Sequence, residues 1–340
     1  MNKSLKSILL VFLFTLSCIP FLNAQEKVFP REGEGIYALL RRHNLTDSDY
    51  EEFVRLNKKK LGKDNTLLKG VAYLLPEKTA SSNKPENKPD NSPKKRKEPL
   101  FGPKYEEYEI KDNILKGACF FLSSGHGGPD SGTTATVNGR KLHEDEYAYD
   151  FTLRLARNLL EHGATVHIII QDPKDGIRDE EYLNNSKRET CMGAKIPRDP
   201  KLRLQQRVKK INQLSRKAKE SYQRAIFIHL DSQEDRQIDV YFFHSDSKDS
   251  KQLALTLKNT FETKYAEKQP GRGYRGTAGY HPSFRPYVLF QSRPVGVFCE
   301  VGNIKNERDQ KRFMQPSNRQ AVANWFLAAL IEDYRSHKGN

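Results

Sequence analysis

Between residues 118 and 334, short apolar runs alternate with longer amphipathic stretches, and this alternation limits the possible folds more than any other feature. The predicted strands are residues 118–123, 164–170, 225–229, 240–243, 287–289 and 295–299. The predicted helices are residues 144–162, 202–218, 252–265 and 319–334. Such a pattern predicts an α/β domain with a mostly parallel sheet and helices on both of its faces.

Three polar residues come at or just after the ends of predicted strands. His126 lies in the sequence Gly-His-Gly-Gly, and the glycines allow a sharp turn and a close approach of other groups. His229 ends a later strand, and Glu300 follows another. Ligands of open α/β sheets bind beyond the carboxyl ends of the strands, so we expect all three at one edge. Taken singly, each histidine is as readily a structural residue.

Glu144 adds a fourth group to this edge. It shares a helix face with Phe151 and Leu155, which is the face that packs on the sheet. An unpaired buried charge is costly, so we expect a cation beside Glu144. The alternative is an acidic residue favoured by the helix dipole, which would suit Asp145 equally well. His143 is a rival ligand, although it should point elsewhere.

The donor set indicates which metal would bind. Two imidazoles and one carboxylate, from His126, His229 and Glu144, suit Zn²⁺ with one position left open for water. Mg²⁺ prefers oxygen ligands throughout. Glu300 is open to three interpretations: a fourth ligand, a structural acid or a general acid/base. We favour the last, because activation of water at an open zinc site requires a proton acceptor.

Six segments carry a resemblance to a known family. Five are residues 125–132, 139–144, 207–212, 228–232 and 300–306, and the sixth, at residues 159–166, joins the end of a helix to the next strand. Over residues 118–334 the chain resembles the zinc-dependent N-acetylmuramoyl-L-alanine amidases of the Amidase_3 type. The resemblance implies that His126, Glu144 and His229 bind Zn²⁺ and that Glu300 is the catalytic acid/base.

The same resemblance implies a reaction on peptidoglycan, in which the amide between N-acetylmuramic acid and L-alanine of the stem peptide is cleaved. Asp231 departs from the asparagine usual in the family, and Asn303 departs from the usual phenylalanine, but neither change removes a ligand. Two alternatives are a catalytically silent wall-binding protein and a zinc peptidase or deacylase acting on another amide. The need for an activator protein stays open. Residues 172–203 either line or cover the cleft and tune peptide recognition, or form a solvated surface loop.

The first 24 residues are predicted to be a signal peptide. Lys3 and Lys6 precede a short apolar core, and small residues end at Ala24. We therefore expect an exported protein that is periplasmic or associated with the cell envelope. Lipid anchoring through Cys18 is the less favoured alternative, because Thr15 stands where a lipoprotein signal usually has leucine. The apolar core is too short to span a membrane, and no later stretch of the sequence reaches the required length.

Residues 25–76 are predicted to form a small βααβ domain that resembles a LysM module. The resemblance rests on Gly33, Gly35, Asn57 and a Leu-Lys-Gly segment before the last strand, and it implies binding to glycan that contains N-acetylglucosamine. The alternative is a helical cap on the main domain. Residues 77–103 are rich in Pro, Lys and Ser, which predicts a disordered linker. The catalytic domain would then occupy residues 104–340.

Composition restricts the partners. The chain has 58 Lys and Arg against 43 Asp and Glu, a formal net charge of +15 that favours anionic partners. The basic residues lack the interleaved aromatic residues of nucleic-acid grooves, so we expect a wall polymer and no nucleic acid. Cys119, Cys191 and Cys299 remain after residue 24, and we interpret Cys119 and Cys299 as buried thiols, with a disulfide between them left open.

Overall fold

The computed structural model describes residues 27–31, 34–43, 45, 49–62, 65–76, 95–233, 235–280 and 283–339. The predicted signal peptide, Cys18 and the first part of the predicted linker lie outside the described residues. By its contacts the chain divides into two compact units, Met1–Pro89 and Asp90–Asn340. None of the helices within the described ranges has the length and apolar character needed to cross a membrane.

The amino-terminal unit contains β1 (Lys27–Val28), α1 (Ile36–Arg42), α2 (Tyr50–Asn57) and β2 (Tyr73–Leu74). This is the order predicted from the sequence, and the two strands pair antiparallel. The side chains of Leu39, Leu40, Phe53 and Tyr73 are fully buried in its core. The unit therefore has a small core of its own, while its glycan binding stays a prediction.

Asn57 is buried at the end of α2 and joins this helix to β2. Its Nδ2 donates to the backbone oxygens of Phe53 and Leu74, each at 2.8 Å. Its Oδ1 accepts the Leu74 N–H, also at 2.8 Å. A buried amide that satisfies three backbone contacts explains the asparagine here by structure alone.

The second unit contains the remaining strands and helices. Its strands are β3 (Lys95–Lys97), β4 (Glu107–Glu109), β5 (Ala118–Ser124), β6 (Thr134–Val137), β7 (Arg140–His143), β8 (Thr165–Ile168), β9 (Ile170–Gln171), β10 (Thr190–Cys191), β11 (Ala194–Lys195), β12 (Tyr222–Asp231), β13 (Tyr241–His244), β14 (Thr277–Gly279) and β15 (Val295–Asn303). Its helices are α3 (Glu144–Glu161), α4 (Pro200–Lys217), α5 (Lys248–Lys268), α6 (Tyr287–Gln291), α7 (Glu307–Met314) and α8 (Pro316–Lys338).

The central sheet has the strand order β14-β13-β15-β12-β5-β8. All neighbours run parallel except β13 and β15, which confirms the predicted, mostly parallel α/β fold. Alternate residues of β5 face opposite sides: Phe120 and Leu122 pack in the core shared with α3, α5 and α8, whereas Phe121 packs in the core shared with α4 and α6. Helices therefore cover both faces of the sheet.

One predicted strand is wrong. Residues 287–289 belong to helix α6, not to a strand. Pro286 precedes the helix with φ −54°, which suits a helix start, and Val288 and Leu289 are buried against the sheet. A run of three apolar residues has no periodicity that separates a strand from a helical turn.

The predicted linker extends too far toward the carboxyl end. Strand β3 pairs antiparallel with β4, and a short 3₁₀ helix follows at Pro99–Phe101. Glu98 caps this helix by accepting the Leu100 N–H, and Phe101 is fully buried in the core with α3. Burial of one aromatic ring and paired backbone outweigh the charge of this segment, which a composition-based prediction does not weigh.

The three cysteines of the second unit are free and buried. Cys119 packs on the α4 side of the sheet and Cys299 on the α5 side, with β12 between their strands. Burial raises the pKa of Cys119 to about 12. A disulfide between Cys119 and Cys299 is thus excluded by their positions, and the thiols are core residues.

Candidate metal centre

The turn after β5 places His126 at the edge of the sheet. His126 has φ +55°, which is uncommon for a residue with a side chain, and Gly127 and Gly128 follow with φ +98° and +64°. The turn is held by bonds from Gly125 N to the Ile228 oxygen and from Gly127 N to the Asp130 oxygen, both at 2.7 Å. A strained residue kept in place by its surroundings is typical of a functional site.

Gly125 and Gly132 have no Cβ, and neighbouring side chains lie in the space that a Cβ would need. A Cβ at Gly125 would lie 2.4 Å from the His229 ring. A Cβ at Gly132 would lie 2.6 Å from Glu144 Oε2 and 2.7 Å from the His126 ring. The glycine frame predicted to allow close approach is therefore used by the three candidate ligands themselves.

The structure brings His126, Glu144 and His229 together at this edge. Glu144 Oε1 lies 3.1 Å from His126 Nε2 and 3.0 Å from His229 Nδ1. Ligand atoms at about 2.0–2.1 Å from a tetrahedral Zn²⁺ are separated by about 3.3 Å. The spacing of these donors therefore fits zinc. His143, the rival ligand, is not part of the group.

The electrostatics of the group favour a bound cation. Burial alone would raise the pKa of Glu144, but hydrogen bonds with the two imidazoles outweigh it and lower the pKa well below its usual range. Burial likewise opposes a charge on His126, yet Asp130 and Glu144 raise its pKa to about 10. Burial lowers the pKa of His229, which keeps this imidazole neutral and able to ligate. The carboxylates thus attract positive charge to the point where the ring nitrogens meet.

A second set of residues orients His126. Its Nδ1 lies 2.9 Å from Asp130 Oδ2, and the same oxygen accepts from Arg203 at 2.7 Å. Arg207, which is buried, donates to the His126 backbone oxygen. Such contacts fix the ring so that Nε2 faces the metal position. Sequence reasoning gave Asp130 and Arg203 no role, because nothing in the pattern shows that α4 packs against this turn.

Glu300 lies on β15 beside His229 on β12, with which it is in register. Its Oε2 is buried and has no hydrogen-bond partner in the part of the chain that the structure describes. Burial, followed by the charges of Glu144 and Asp231, raises the pKa of Glu300 well above its usual range. An unpaired acid with a raised pKa next to the imidazoles is placed for proton transfer.

Two cavities open beside these residues. One, of about 290 Å³, is lined by His126, His229 and Arg207, and the other, of about 400 Å³, is lined by Glu300 and Arg236. Phe284 contributes to both. The two candidate imidazole ligands and the candidate acid/base therefore face adjoining space large enough for parts of a substrate.

Residues 172–203 form an ordered part of the domain. The segment includes β10 and β11, which form a three-stranded sheet with β9, and it buries Ile177, Leu183 and Ile196. Of its residues, Pro200 and Arg203 line the cavity beside His126. Glu189 and Ile196 lie against the His126 turn, whereas Ile177 and Leu183 pack in the core with α3. The effect of the segment on substrate preference stays a hypothesis.

The family model described as N-acetylmuramoyl-L-alanine amidase, Amidase_3, matches residues 121–332. This match covers more than half of the chain, and the protein belongs to this family. A search of curated proteins finds no match to the sequence.

Solved structures resemble the chain at low sequence identity. The amidase AmiC2 of Nostoc punctiforme is 19% identical with a TM-score of 0.45, covering 64% of this chain and 98% of that one. An N-acetylmuramoyl-L-alanine amidase from Clostridium difficile 630 is 18% identical with a TM-score of 0.47, covering 64% and 97%. The catalytic domain of CwlV from Bacillus (Paenibacillus) polymyxa var. colistinus is 18% identical with a TM-score of 0.45, covering 63% and 97%.

Proposed function

We propose that the protein is a zinc-dependent amidase that cleaves the bond between N-acetylmuramic acid and L-alanine of the peptidoglycan stem peptide. The observation that carries this proposal is the meeting of His126, Glu144 and His229 at donor distances suited to zinc, with Glu300 on the adjoining strand. Family membership supports a hydrolase that acts on peptidoglycan.

In this proposal His126 Nε2, Glu144 Oε1 and His229 Nδ1 hold the metal. Zinc with three protein ligands acts as a Lewis acid toward a carbonyl oxygen and brings the pKa of water to about 7. Asp130 keeps the His126 ring oriented, and the backbone amides of Thr133 and Leu230 hold the Glu144 carboxylate at 2.9 and 3.2 Å. The side chains are thus arranged before substrate arrives.

Glu300 is the proposed acid/base. It accepts a proton from the attacking water and delivers that proton to the alanine nitrogen as the amide bond breaks, so the amine leaves uncharged. Its raised pKa supports this role, since a carboxylate with an ordinary pKa would be a weaker acceptor of the proton from water near neutral pH.

Digestion of purified peptidoglycan tests the reaction. We expect new L-alanine amino termini on otherwise intact stem peptides, detected by labelling and mass spectrometry. New amino termini within the stem peptide would instead indicate a peptidase. Release of acetate would indicate a deacetylase. Binding to the polymer with no products would indicate a silent wall-binding protein.

The amino-terminal unit and the exported state complete the proposal. We expect residues 25–76 to bind N-acetylglucosamine-containing glycan, supported by the βααβ order of the unit. Titration of the full chain with N-acetylglucosamine oligomers should saturate, and a chain lacking residues 25–76 should not. The amino terminus of protein recovered from the cell envelope should be Gln25; retention of residues 1–24 would argue against export by a cleaved signal.

A further inference from the structure

A second group of carboxylates lies beside the turn that carries His126. Asp145, Glu146 and Glu189 are 3%, 1% and 7% exposed, and one oxygen from each lies within 4.8 Å of the others. Asp145 and Glu146 belong to the first turn of α3, whereas Glu189 comes from the segment between β9 and β10. The group therefore joins two distant parts of the sequence in the interior.

The contacts of these side chains leave one buried oxygen without a hydrogen-bond partner in the part of the chain that the structure describes. Glu146 pairs with Arg178 at 2.8 Å, and Glu189 Oε2 accepts the Gly128 N–H at 2.8 Å. Asp145 Oδ1 accepts the Glu146 N–H at 3.0 Å. Asp145 Oδ2 is buried and has no hydrogen-bond partner within the described ranges.

Positive charge is scarce around this group. Among the ion pairs of the described residues, the group takes part in one, that of Glu146 with Arg178. The amino-terminal dipole of α3 is a weak source of stabilisation for a nearby carboxylate compared with a bound cation. A buried carboxylate oxygen without a partner is costly, and a cation bound beside Asp145 Oδ2 would offset that cost.

We propose that Asp145, Glu146 and Glu189 bind a calcium ion. The donors are all carboxylate oxygens, which suit a hard cation and do not suit zinc as well as nitrogen or sulfur would. Ca²⁺ takes ligands at 2.3–2.6 Å in irregular arrangements, so it can bridge oxygens that lie within 4.8 Å of one another. Mg²⁺ requires near-ideal octahedral geometry at about 2.1 Å, which a fixed group of carboxylates from two separate segments suits less well than the flexible geometry of Ca²⁺.

The ion would have a structural effect on the neighbouring metal centre. Glu189 holds the Gly128 amide, and Gly128 lies two residues from His126. A bound Ca²⁺ would therefore fasten residues 172–203 to the start of α3 and to the turn that presents His126. This role is separate from hydrolysis and goes beyond the proposed function.

Calcium binding to the zinc-loaded full chain tests the proposal. After dialysis against 1 mM Ca²⁺ and desalting, we expect about one calcium per chain by elemental analysis. Addition of 5 mM Ca²⁺ should raise the thermal midpoint by roughly 2–5 °C relative to the same ionic strength of KCl. Asp145→Asn and Glu189→Gln should each abolish both effects. Glu180→Gln, which alters an exposed acid of the same segment, should retain both.

The opposite result is equally defined. If the wild-type chain retains no calcium and its midpoint does not move, the proposal is wrong and Asp145 holds a proton. In that case Asp145→Asn should be at least as stable as wild type. Should Asp145→Asn fail to fold, wild type and Glu189→Gln decide the matter. The zinc content is measured in the same samples. A chain that binds calcium but no zinc would contradict only the proposed function, and a chain that binds zinc but no calcium would contradict only the calcium proposal.

Discussion

Glu144 and Asp145 are neighbours on one helix, are equally buried at 3% exposed, and have opposite electrostatic environments. Glu144 accepts from two backbone amides and contacts two imidazoles, and its pKa is lowered despite burial. Asp145 accepts one amide on Oδ1, and burial followed by the charges of Glu146 and Glu189 raises its pKa to about 8. Burial therefore disfavours the charged carboxylate at both positions. Only around Glu144 do hydrogen-bond donors and imidazoles compensate for it.

The difference arises from where each side chain points. Successive residues of a helix are rotated by about 100°, so neighbours on α3 enter different surroundings. Glu144 faces the carboxyl ends of β5 and β12, which present His126 and His229. Asp145 faces the segment that carries Glu189. A charged residue at a helix start therefore acquires its role from the strands and loops it meets.

The largest effect should come from replacing the Glu144 carboxylate by an amide, with the same replacement at Asp145 as the comparison. We expect Glu144→Gln to reduce bound zinc from about one per chain to below about one tenth and hydrolysis by at least about 1000-fold, because a neutral amide is a poor zinc ligand. Asp145→Asn should retain full zinc content. Elemental analysis and peptidoglycan digestion measure both. Equal zinc loss in the two variants would remove the distinction between these sites.

A smaller effect should follow from filling the space beside His229. Gly125→Ala places a Cβ 2.4 Å from the imidazole, so the ring must move and zinc affinity should fall by about 100-fold. Gly35→Ala is the matched control, since a Cβ there meets nothing within 4 Å. Competition with a chromophoric chelator gives the affinity. An unchanged affinity for Gly125→Ala would mean that the glycine frame does not shape the site.

Changes at Asp130, whose carboxylate positions His126 through Nδ1, should have a still smaller effect on zinc binding. We expect Asp130→Asn to weaken zinc binding by about 10-fold and Asp130→Ala somewhat more, because the amide retains one hydrogen bond to the ring. Activity should recover at saturating zinc if Asp130 only orients the ligand. Activity that stays low with zinc fully bound would instead place Asp130 in the reaction.

The smallest effect concerns Glu34, a carboxylate of the amino-terminal unit that forms an ion pair with the Arg42 guanidinium. A hydrogen bond from Arg42 is the main cause that lowers the pKa of Glu34 to about 2. Its contribution to stability is present above its ordinary pKa of 4.5 and is lost as the pH falls from there through about 2. Carboxyl NMR of the full chain should show this midpoint. Arg42→Ala should return it toward the ordinary value, and an unchanged midpoint would contradict the assignment.

Sequence patterns predicted the elements that have long, regular periodicity. The α3 helix, the strand before His126 and the strands carrying His229 and Glu300 were found because apolar spacing and strand ends are local features. The structures of the short segments at residues 95–103 and 287–289 were not predicted. The burial of Phe101 and the helical turn that begins after Pro286 depend on contacts with distant parts of the chain. The local sequence pattern alone is therefore not sufficient to assign the secondary structure of short segments.

The same limit applies within the site. Glu144 was identified because its helix face is apolar, a property visible in the sequence. Asp145 looked like an ordinary helix-start acid, since its environment depends on Glu189 from a separate segment. The contacts of Asp130 with Arg203 likewise require α4 to pack near the His126 turn. Clusters built from several segments cannot be derived from one local pattern.

The most direct measurement of the central claim is zinc content and turnover in a Glu300→Gln variant. Glu300 is placed beside the ligands and is not one of them, so we expect about one zinc per chain and hydrolysis of purified peptidoglycan reduced by about 100- to 10,000-fold. Glu262→Gln, an exposed change on α5, should behave as wild type. Wild-type turnover by zinc-loaded Glu300→Gln, or loss of zinc from it, would contradict the proposed division between metal ligands and acid/base.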